Sequence, residues 1–422
     1  MTIFNKTIFT GFSPNLTGRD TSKALGYLFL PWRWPGLING GYVESAEKKL
    51  SRYFNIKYAY AFDSGRSALY YALKALGAGS GDEILVQAYT CVVVANAIKF
   101  TGAKPIFVDI GDDFNIDPAG LENKITPKTK ILIIQHTFGL PARLQEILAI
   151  AKRRNLKVIE DCAHSLGARY QSKLTGTFGD IGMLSFGSDK IISCVRGGAL
   201  ITDNQEIGLK IKELKNQLPE PSLIKTIQHL MHYPIFYPAK PLYSLFIGKI
   251  ILILAKKLNV INKIIYKQEK TGEQVKFYPA KLANALANIL CYQIDEIDQL
   301  NSHRQTISEI YSQEISNQKI NLPWKNSQID FKNCACLRYP ILLKNPNQLL
   351  NYAKKQGVIL GDWYNAPIAP ADIDSKKTGY LNDCPKAELL AGQSVNLPTD
   401  RQISPRDAQK IVKIINSFEN SN

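Results

Sequence analysis

Two side chains of opposite charge follow apolar runs in the middle of the chain, and their types suit one shared ligand. Asp161 ends the run KVIED, and Lys190 comes shortly after the run IGMLSF. A lysine amine can bond covalently to an aldehyde, and a carboxylate can keep a ring nitrogen protonated. We therefore predict that Asp161 and Lys190 bind a cofactor that carries both an aldehyde and a ring nitrogen.

Each of these residues also has a plainer interpretation when it is taken alone. Asp161 could cap a helix, His164 could be a packed core histidine, and Lys190 is one of 52 basic residues. Their common order and their position after apolar runs favour the cofactor interpretation over the separate ones.

The sequence SGRSA at 64–68 lies between a predicted strand and a predicted helix. Unpaired N–H groups at a helix start suit a phosphate, and Gly65 would permit a close approach. The same junction could also be only a helix cap. Ser185 places a second hydroxyl near Lys190, so that a phosphate site could be completed there.

Short apolar runs alternate with helical patterns from about residue 57 to 204. KYAYAF, DEILVQ, KPIFVDI, KILIIQH, KVIED, IGMLSF and GALITD read as strands, and SALYYALKALG, VVVANAIKFTG and LQEILAIAKRRN read as helices. This alternation predicts an α/β fold with a mostly parallel sheet covered on both faces. Ligands of such sheets bind beyond the carboxyl ends of the strands, where Asp161 and Lys190 are expected.

Composition limits the classes of function. The net charge is +16, but the basic residues are dispersed and no nucleic-acid-binding motif is present, so we predict no nucleic-acid partner. Cys334 and Cys336 form the closest cysteine pair and have no histidine nearby, so we predict no metal site. The seven scattered cysteines and the N-terminal sequence, which does not resemble a signal peptide, favour a cytoplasmic location.

The 221–268 segment has a composition of its own. It contains seven lysines and no acidic residue, with long apolar and aromatic runs. Those runs are too short to span a membrane. Two interpretations remain: a helical lid or subunit contact, and a surface helix that rests on anionic lipid. From about residue 271 the pattern changes, which predicts a large domain over 1–270 and a smaller α/β domain over 271–422.

The motifs of the chain resemble one known family when they are taken in order. SGRSALYYALKALGAGSGDEILVQAYT, QHTFGLPA, IEDCAHSLGARY, GTFGDIGMLSF with its following lysine, and GGALITDN resemble the DegT/DnrJ/EryC1/StrS family. The similarity continues through KLANALANILCYQIDEID and CPKAELLAGQSVNLP. It implies the aspartate aminotransferase-like fold (fold type I), pyridoxal 5′-phosphate as the cofactor, and amino transfer to a keto sugar.

The resemblance also implies roles for individual residues. Lys190 matches the Schiff-base lysine, Asp161 the partner of the pyridine nitrogen, and His164 a position near the ring hydroxyl. The phosphate site corresponds to the N–H groups of Arg66 and Ser67 and the Ser185 hydroxyl. Asn284 matches an asparagine that reaches the site of a neighbouring subunit, which implies a homodimer with shared active sites.

Two positions depart from the family pattern. Cys91 stands where the family commonly stacks an aromatic residue on the cofactor, and Tyr89 is a candidate substitute. Arg196 replaces the usual glutamate, and it could contact an acidic group of a substrate or merely face solvent.

The sequence therefore predicts an aminotransferase that moves an amino group from an amino acid, with glutamate favoured, to a nucleotide- or lipid-linked keto sugar in glycan biosynthesis. Lys190, Asp161 and His164 are the predicted catalytic residues. The alternatives are a regulatory protein that binds the cofactor without turnover, and a sugar-modifying enzyme held at the inner face of a membrane by the 221–268 segment.

Overall fold

A seven-stranded sheet forms the centre of the molecule. The computed structural model describes residues 6–11 and 15–419, apart from the side chain at 376. The strands, β1 to β7 in chain order, are Tyr58–Phe62, Glu83–Gln87, Lys104–Val108, Thr129–Gln135, Lys157–Asp161, Ile181–Ser185 and Gly198–Thr202. They coincide with the seven predicted strand segments.

The strands lie side by side in the order β1-β7-β6-β5-β4-β2-β3. Within this sheet β7 runs antiparallel to both of its neighbours, and the other pairs are parallel. The prediction of an α/β fold with a mostly parallel sheet is therefore confirmed.

Helices cover both faces of this sheet and continue through the rest of the chain. Those of nine or more residues, α1 to α13, are Gly18–Phe29, Tyr42–Phe54, Gly65–Ala75, Val92–Phe100, Leu144–Arg153, Gln205–Asn216, Leu223–Ala239, Ile247–Lys257, Asn284–Ile294, Ile297–Glu314, Pro346–Lys355, Pro385–Gln393 and Pro405–Asn416. The sequence of 281–315 has a helical pattern throughout, which predicts one long helical stretch. The structure instead has two helices there, because the chain turns at Asp295 and Glu296 between them.

The apolar strands are buried on both faces, as their composition requires. Along β4, Ile131 and Ile133 pack in one core with residues of α3 and α4. Leu132 and Ile134 pack in a second core with residues of α5. Because successive side chains point to opposite faces, a strand between two cores must be apolar throughout.

The parallel direction of β1, β5 and β6 brings three chain segments to one edge of the sheet. Asp161 is the last residue of β5, Ser185 is the last residue of β6, and α3 begins at Gly65 shortly after β1. Lys190 follows β6 in the next turn. The predicted site residues therefore lie at the carboxyl edge, where ligands of such sheets bind.

The C-terminal part carries a second, two-stranded sheet, in which Arg338–Leu342 pairs antiparallel with Ser394–Pro398. Two short parallel pairings connect this part to distant regions of the chain. Ile8–Phe9 pairs with Val358–Ile359, and Thr90–Cys91 pairs with Ile368–Ala369. The division into domains at residue 270 stays a prediction.

The 221–268 segment folds mainly into α7 and α8. Apolar side chains are exposed on both helices and after them, including Ile224 on α7 at 78%, Ile250 on α8 at 56% and Leu258 after α8 at 72%. Among the described residues, no helix combines the length and the apolar character that crossing a membrane requires.

Candidate active site

An open cavity lies at the carboxyl edge of the sheet. The structure brings seven of the predicted site residues to its wall: Gly65, Arg66, Cys91, Asp161, His164, Ser185 and Lys190. They come from four separate segments of the chain, so their convergence is a consequence of the fold.

Asp161 is a buried carboxyl group with few groups nearby that stabilise its negative charge. It is 3% exposed and accepts a hydrogen bond of 2.9 Å from the backbone N–H of Ala163. Burial raises its pKa, while the Ala163 N–H and the nearby charge of Lys190 act in the opposite direction. A cationic N–H placed beside this carboxyl would therefore stabilise its ionised form.

The backbone of Lys190 is fixed from two sides. Its N–H donates to the carbonyl of Gly187 at 3.1 Å. The side-chain amide of Asn15 donates to the carbonyls of Lys190 and Ile191. These bonds hold the turn that carries the lysine against the N-terminal segment of the chain.

A carboxylate precedes Lys190 in the same turn. Burial acts to raise the pKa of Asp189, but the charges of Lys190 and Arg338 outweigh it and lower the pKa overall. Arg338 lies 3.8 Å from this carboxylate. The wall of the cavity near Lys190 therefore carries a stable negative charge that the sequence did not single out.

His164 is a buried, neutral imidazole. Burial lowers its pKa well below the usual value, and Lys190 and Arg338 add to the effect. Its Nδ1 accepts the backbone N–H of Phe138 at 3.3 Å, so the proton resides on Nε2, which lies 3.4 Å from the Tyr364 hydroxyl. The two rings stack at 5.8 Å between centroids.

The start of α3 and the end of β6 form a close cradle. A Cβ atom added at Gly65 would lie 2.9 Å from the Ser185 Oγ, so only glycine allows this approach. Ser64 caps the helix by accepting the N–H of Ser67 at 3.2 Å. The cap uses only the N–H of Ser67, and the N–H groups of Gly65 and Arg66 come before it in the helix. A helix cap and an anion site can therefore coexist here.

The side chain of Arg66 turns from this cradle to the far end of the 221–268 segment. Its guanidinium donates to both carboxylate oxygens of Glu269, at 2.6 and 2.7 Å, and to the carbonyl of Ile264. Ile264 lines the cavity together with Asn262 and Ile265. The 221–268 segment thus supplies part of the cavity wall.

Three predicted residues lie outside the cavity wall. The Ser67 N–H is taken by the helix cap. Tyr89 is fully buried, and its hydroxyl bonds to Ser394 at 2.7 Å, so its ring does not replace the missing aromatic at Cys91. Asn284 bonds within its own chain, donating to the Gly36 carbonyl and accepting the Tyr42 N–H. Its role across a subunit boundary stays a prediction.

Two aromatic residues that the sequence analysis missed reach the cavity from the C-terminal part. Trp363 and Tyr364 line it, and they lie in the turn-rich stretch WYNAPIAPADIDS. The adjacent aromatic pair was the available signal, because large aromatic side chains in a polar, turn-rich stretch need a surface to pack against. Because Trp363 and Tyr364 are far from Lys190 in the sequence, the sequence alone did not indicate that they pack against this cavity.

Arg196 does not face solvent, so that interpretation is wrong. The side chain lines the cavity, and the residue is 4% exposed. Its guanidinium carbon lies 4.6 Å from the centre of the Tyr278 ring, and the rings of Phe277 and Tyr266 are also close.

His136, Glu160 and Cys162 form a buried group whose ligand atoms lie within 4.8 Å of one another. Glu160 already accepts three backbone N–H groups, and it lies 3.2 Å from the Nε2 of His136. His136 Nδ1 accepts the N–H of Ala142. These bonds account for the carboxylate and the imidazole without an ion, and the prediction of no metal stays a prediction.

The sequence profile of the DegT/DnrJ/EryC1/StrS aminotransferase family matches residues 34–231 and 236–416. The chain belongs to this family. The match includes every residue that lines the cavity, and the resemblance inferred from the motifs is confirmed.

Similar proteins include enzymes of amino-sugar formation. GDP-perosamine synthase of Escherichia coli O157:H7 is 37% identical over 207 residues, which are 49% of this chain and 56% of that protein. The match thus spans about half the length of that relative. A pleiotropic regulatory protein of Geobacillus stearothermophilus is 27% identical over 90% of both chains.

Solved structures show the same fold. Helicobacter pylori PseC, an aminotransferase involved in the biosynthesis of pseudoaminic acid, has a TM-score of 0.74 at 20% identity, over 97% of this chain and 98% of that one. NtdA of Bacillus subtilis, with bound cofactor PMP, has a TM-score of 0.73 at 24% identity, over 97% and 84%. The predicted fold type is therefore confirmed.

Proposed function

We propose that this protein is an aminotransferase that uses pyridoxal 5′-phosphate to move an amino group from an amino acid, favoured to be glutamate, to a nucleotide- or lipid-linked keto sugar. The observation that carries the proposal is the convergence of Lys190, Asp161, Ser185 and the start of α3 on one cavity. Family membership and the amino-sugar relatives support the same reaction class.

The residues fit this cofactor at three separate points. At the cradle, the first N–H groups of α3 lie close to the Ser185 hydroxyl, an approach that a side chain on residue 65 would prevent, and together they suit a phosphate. The Asp161 carboxyl is buried and receives one backbone N–H, which leaves it able to accept a ring N–H. Lys190 lines the same cavity and supplies the amine. When bound, pyridoxal phosphate supplies an aldehyde and a ring that withdraws electrons.

The chain's own groups then have distinct tasks. The Asp161 carboxylate keeps the ring nitrogen protonated by charge pairing. Lys190 Nζ binds the cofactor between turnovers and, once released, carries a proton to and from the Cα atom of the amino donor. His164, held neutral with its proton on Nε2, positions the ring without adding a positive charge beside Lys190.

Replacement of Lys190 tests this assignment. Lys190→Ala should abolish both the visible absorbance of covalently held cofactor and the borohydride-fixed adduct, and should lower turnover by several orders of magnitude. Lys173→Ala, which removes an exposed lysine outside the cavity, should leave both unchanged. Full turnover by the Lys190→Ala protein would refute the mechanism.

A regulatory protein that binds the cofactor without turnover is the second candidate, and the similarity to the pleiotropic regulatory protein favours keeping it. Glutamate distinguishes the two. An aminotransferase converts bound pyridoxal phosphate to pyridoxamine phosphate and releases 2-oxoglutarate, whereas a purely regulatory protein leaves the cofactor spectrum unchanged.

A homodimer in the cytoplasm is part of the proposal, with Asn284 near the subunit boundary. Analytical ultracentrifugation of the loaded protein measures the oligomeric state. A monomer that retains full activity would remove the idea of shared active sites.

We also propose that α7 and α8 rest on an anionic membrane. The exposed apolar side chains of these helices lie among lysines without any acidic residue over 221–268, which is the composition of interfacial helices. The protein should float with liposomes that contain anionic lipid and remain unbound to neutral ones. Ile250→Glu with Ile253→Glu should abolish flotation, and absence of binding by the unaltered protein would exclude this contact.

A further inference from the structure

Arg196 has a buried, charged guanidinium group, and two of its nitrogens have no hydrogen-bond acceptor among the described residues. Its Nε and Nη2 atoms are buried and unpartnered, in a residue that is 4% exposed. Buried polar groups are nearly always hydrogen-bonded, and a charged group is the costliest exception. The guanidinium therefore requires an explanation that the described side chains do not supply.

Aromatic rings surround this guanidinium without satisfying it. Its central carbon lies 4.6 Å from the ring centre of Tyr278, 5.4 Å from Phe277 and 5.7 Å from Tyr266. Ring faces attract the cation. They offer no oxygen to the N–H groups in its plane, so the rings orient the group and leave its donors available.

The neighbouring charges leave this part of the cavity with positive charge in excess. Arg66 is paired with Glu269, and Lys225, which packs on Phe277, bonds to the uncharged Gln228. Burial raises the pKa of Asp63, a carboxyl group that acts on Arg196, to about 6. Asp63 is therefore mostly ionised at pH 7 and offsets one of the two positive charges of Arg196 and Lys225, which leaves one in excess. The structure describes no hydrogen bond or ion pair between Asp63 and Arg196.

The position of Arg196 separates it from the residues assigned to the cofactor ring. The strongest charges acting on Asp161 come from Lys190 and His136, and those acting on Arg196 come from Arg66 and Asp63. Arg196 also lines a second, smaller cavity together with Asp63, Ser222 and Lys225. It thus faces the side of the cavity that is closed by the 221–268 segment and the residues after it.

We propose that Arg196 binds an oxyanion of a substrate, a carboxylate or a phosphate, through its Nε and Nη2 donors. These two nitrogens lie on one edge of a planar group and match two oxygens of such an anion. The proposal rests on the proposed function, which supplies two sources: a carboxylate of the amino donor, and the phosphate of the sugar carrier.

Binding of two unreactive probes to the cofactor-loaded protein tests this assignment. Calorimetry with 2-oxoglutarate measures the carboxylate source, and calorimetry with inorganic pyrophosphate measures the phosphate source. Arg196→Met keeps the stem but removes the donors, and should weaken one probe by about 10- to 100-fold. Arg196→Lys should restore part of the loss. Lys225→Met, the matched control, should change binding by less than about threefold.

Several results would overturn the proposal. One is that Arg196→Met binds both probes within about twofold of the affinity of the unaltered protein. Another is that Lys225→Met loses as much probe affinity as Arg196→Met does. The third is that the unaltered protein binds neither probe. A loss confined to affinity for pyridoxal phosphate would assign Arg196 to the cofactor instead. If Arg196→Met does not fold, Arg196→Lys decides by the same criteria. Failure of the proposed function is separate, since it would appear as no amino transfer from glutamate while the probes still bind.

Discussion

Glu160 precedes Asp161 on β5, and its buried carboxylate organises the loop that follows. It accepts the N–H groups of Gly176, Phe178 and Gly179 at 2.6 to 2.8 Å. Burial acts to raise its pKa, but the bonds from His136 and the backbone lower the pKa overall. Glu160→Gln should lower the free energy of unfolding by about 3 kcal/mol, because a neutral amide turns an NH₂ group towards donors. Urea denaturation measures this change.

Glu122→Gln is the control for this prediction. Glu122 pairs with Arg153 and Arg154 at 3.1 Å, but it lies at the surface, so its loss should cost less than about 1 kcal/mol. Equal costs for the two variants would show that the bonds of Glu160 do not hold the loop.

Residue types and spacing predicted the part of the site that lies on the sheet. Asp161, Ser185 and Lys190 could be placed from sequence because each follows an apolar run of a parallel sheet. Trp363 and Tyr364 could not, because tertiary packing alone brings them to the cavity. Tyr89 was predicted as a substitute for the aromatic residue missing at Cys91, but its ring packs in the core against Phe114 and Phe138. This packing also depends on tertiary contacts that the sequence does not show.

At the scale of elements, α7 contains two buried histidines that make its stability depend on pH. Burial lowers the pKa of His229 and of His232 from 6.5 to about 3. The unfolded helix takes up protons below pH 6.5, and the folded helix does not until about pH 3. Stability is therefore complete above pH 6.5 and falls with the pH below it, by at most about 1.4 kcal/mol per pH unit for each histidine.

Hydrogen exchange of α7 at pH 7 and pH 5 measures this effect, and exchange should be faster at pH 5 after correction for intrinsic rates. His232→Phe should reduce the difference in exchange between the two pH values, because it removes one titrating group. It keeps a ring against Phe236, whose ring centre lies 4.1 Å from that of His232 in the unaltered protein. Equal protection of α7 at both pH values would contradict the prediction.

The same scale explains which elements the sequence could predict. Strands buried on both faces must be apolar throughout, so all seven were evident from short apolar runs. The break at Asp295 and Glu296 was not evident, because the helical pattern continues across it and two polar residues suit either a turn or an exposed helix face.

At the scale of the whole molecule, Asn15 joins three distant parts of the chain. Its amide donates to the carbonyls of Lys190 and Ile191, and its oxygen lies 3.5 Å from a donor of Arg304. Asn15→Ala should loosen the turn that carries Lys190 and weaken retention of pyridoxal phosphate by about tenfold. The rate of cofactor loss after dilution measures this.

Asn317→Ala provides a matched comparison. Asn317 also donates to two backbone carbonyls, those of Ile415 and Phe418, but at the opposite end of the sequence and outside the cavity. It should reduce stability without changing cofactor retention. The same cofactor loss in both variants would mean that Asn15 acts only on overall stability.

The bonds from Arg66 to Ile264 and Glu269 connect the cofactor cradle to the 221–268 segment and to the residue that follows it. Arg66 offers its backbone N–H at the start of α3, and its side chain donates to the carbonyl of Ile264 within that segment. Coupling between two binding events is reciprocal. If a phosphate at the cradle favours the docked segment by some factor, then any surface that holds the segment docked tightens cofactor binding by the same factor. If α7 and α8 bind a membrane through their outer face, anionic liposomes should therefore change the affinity of the protein for the cofactor.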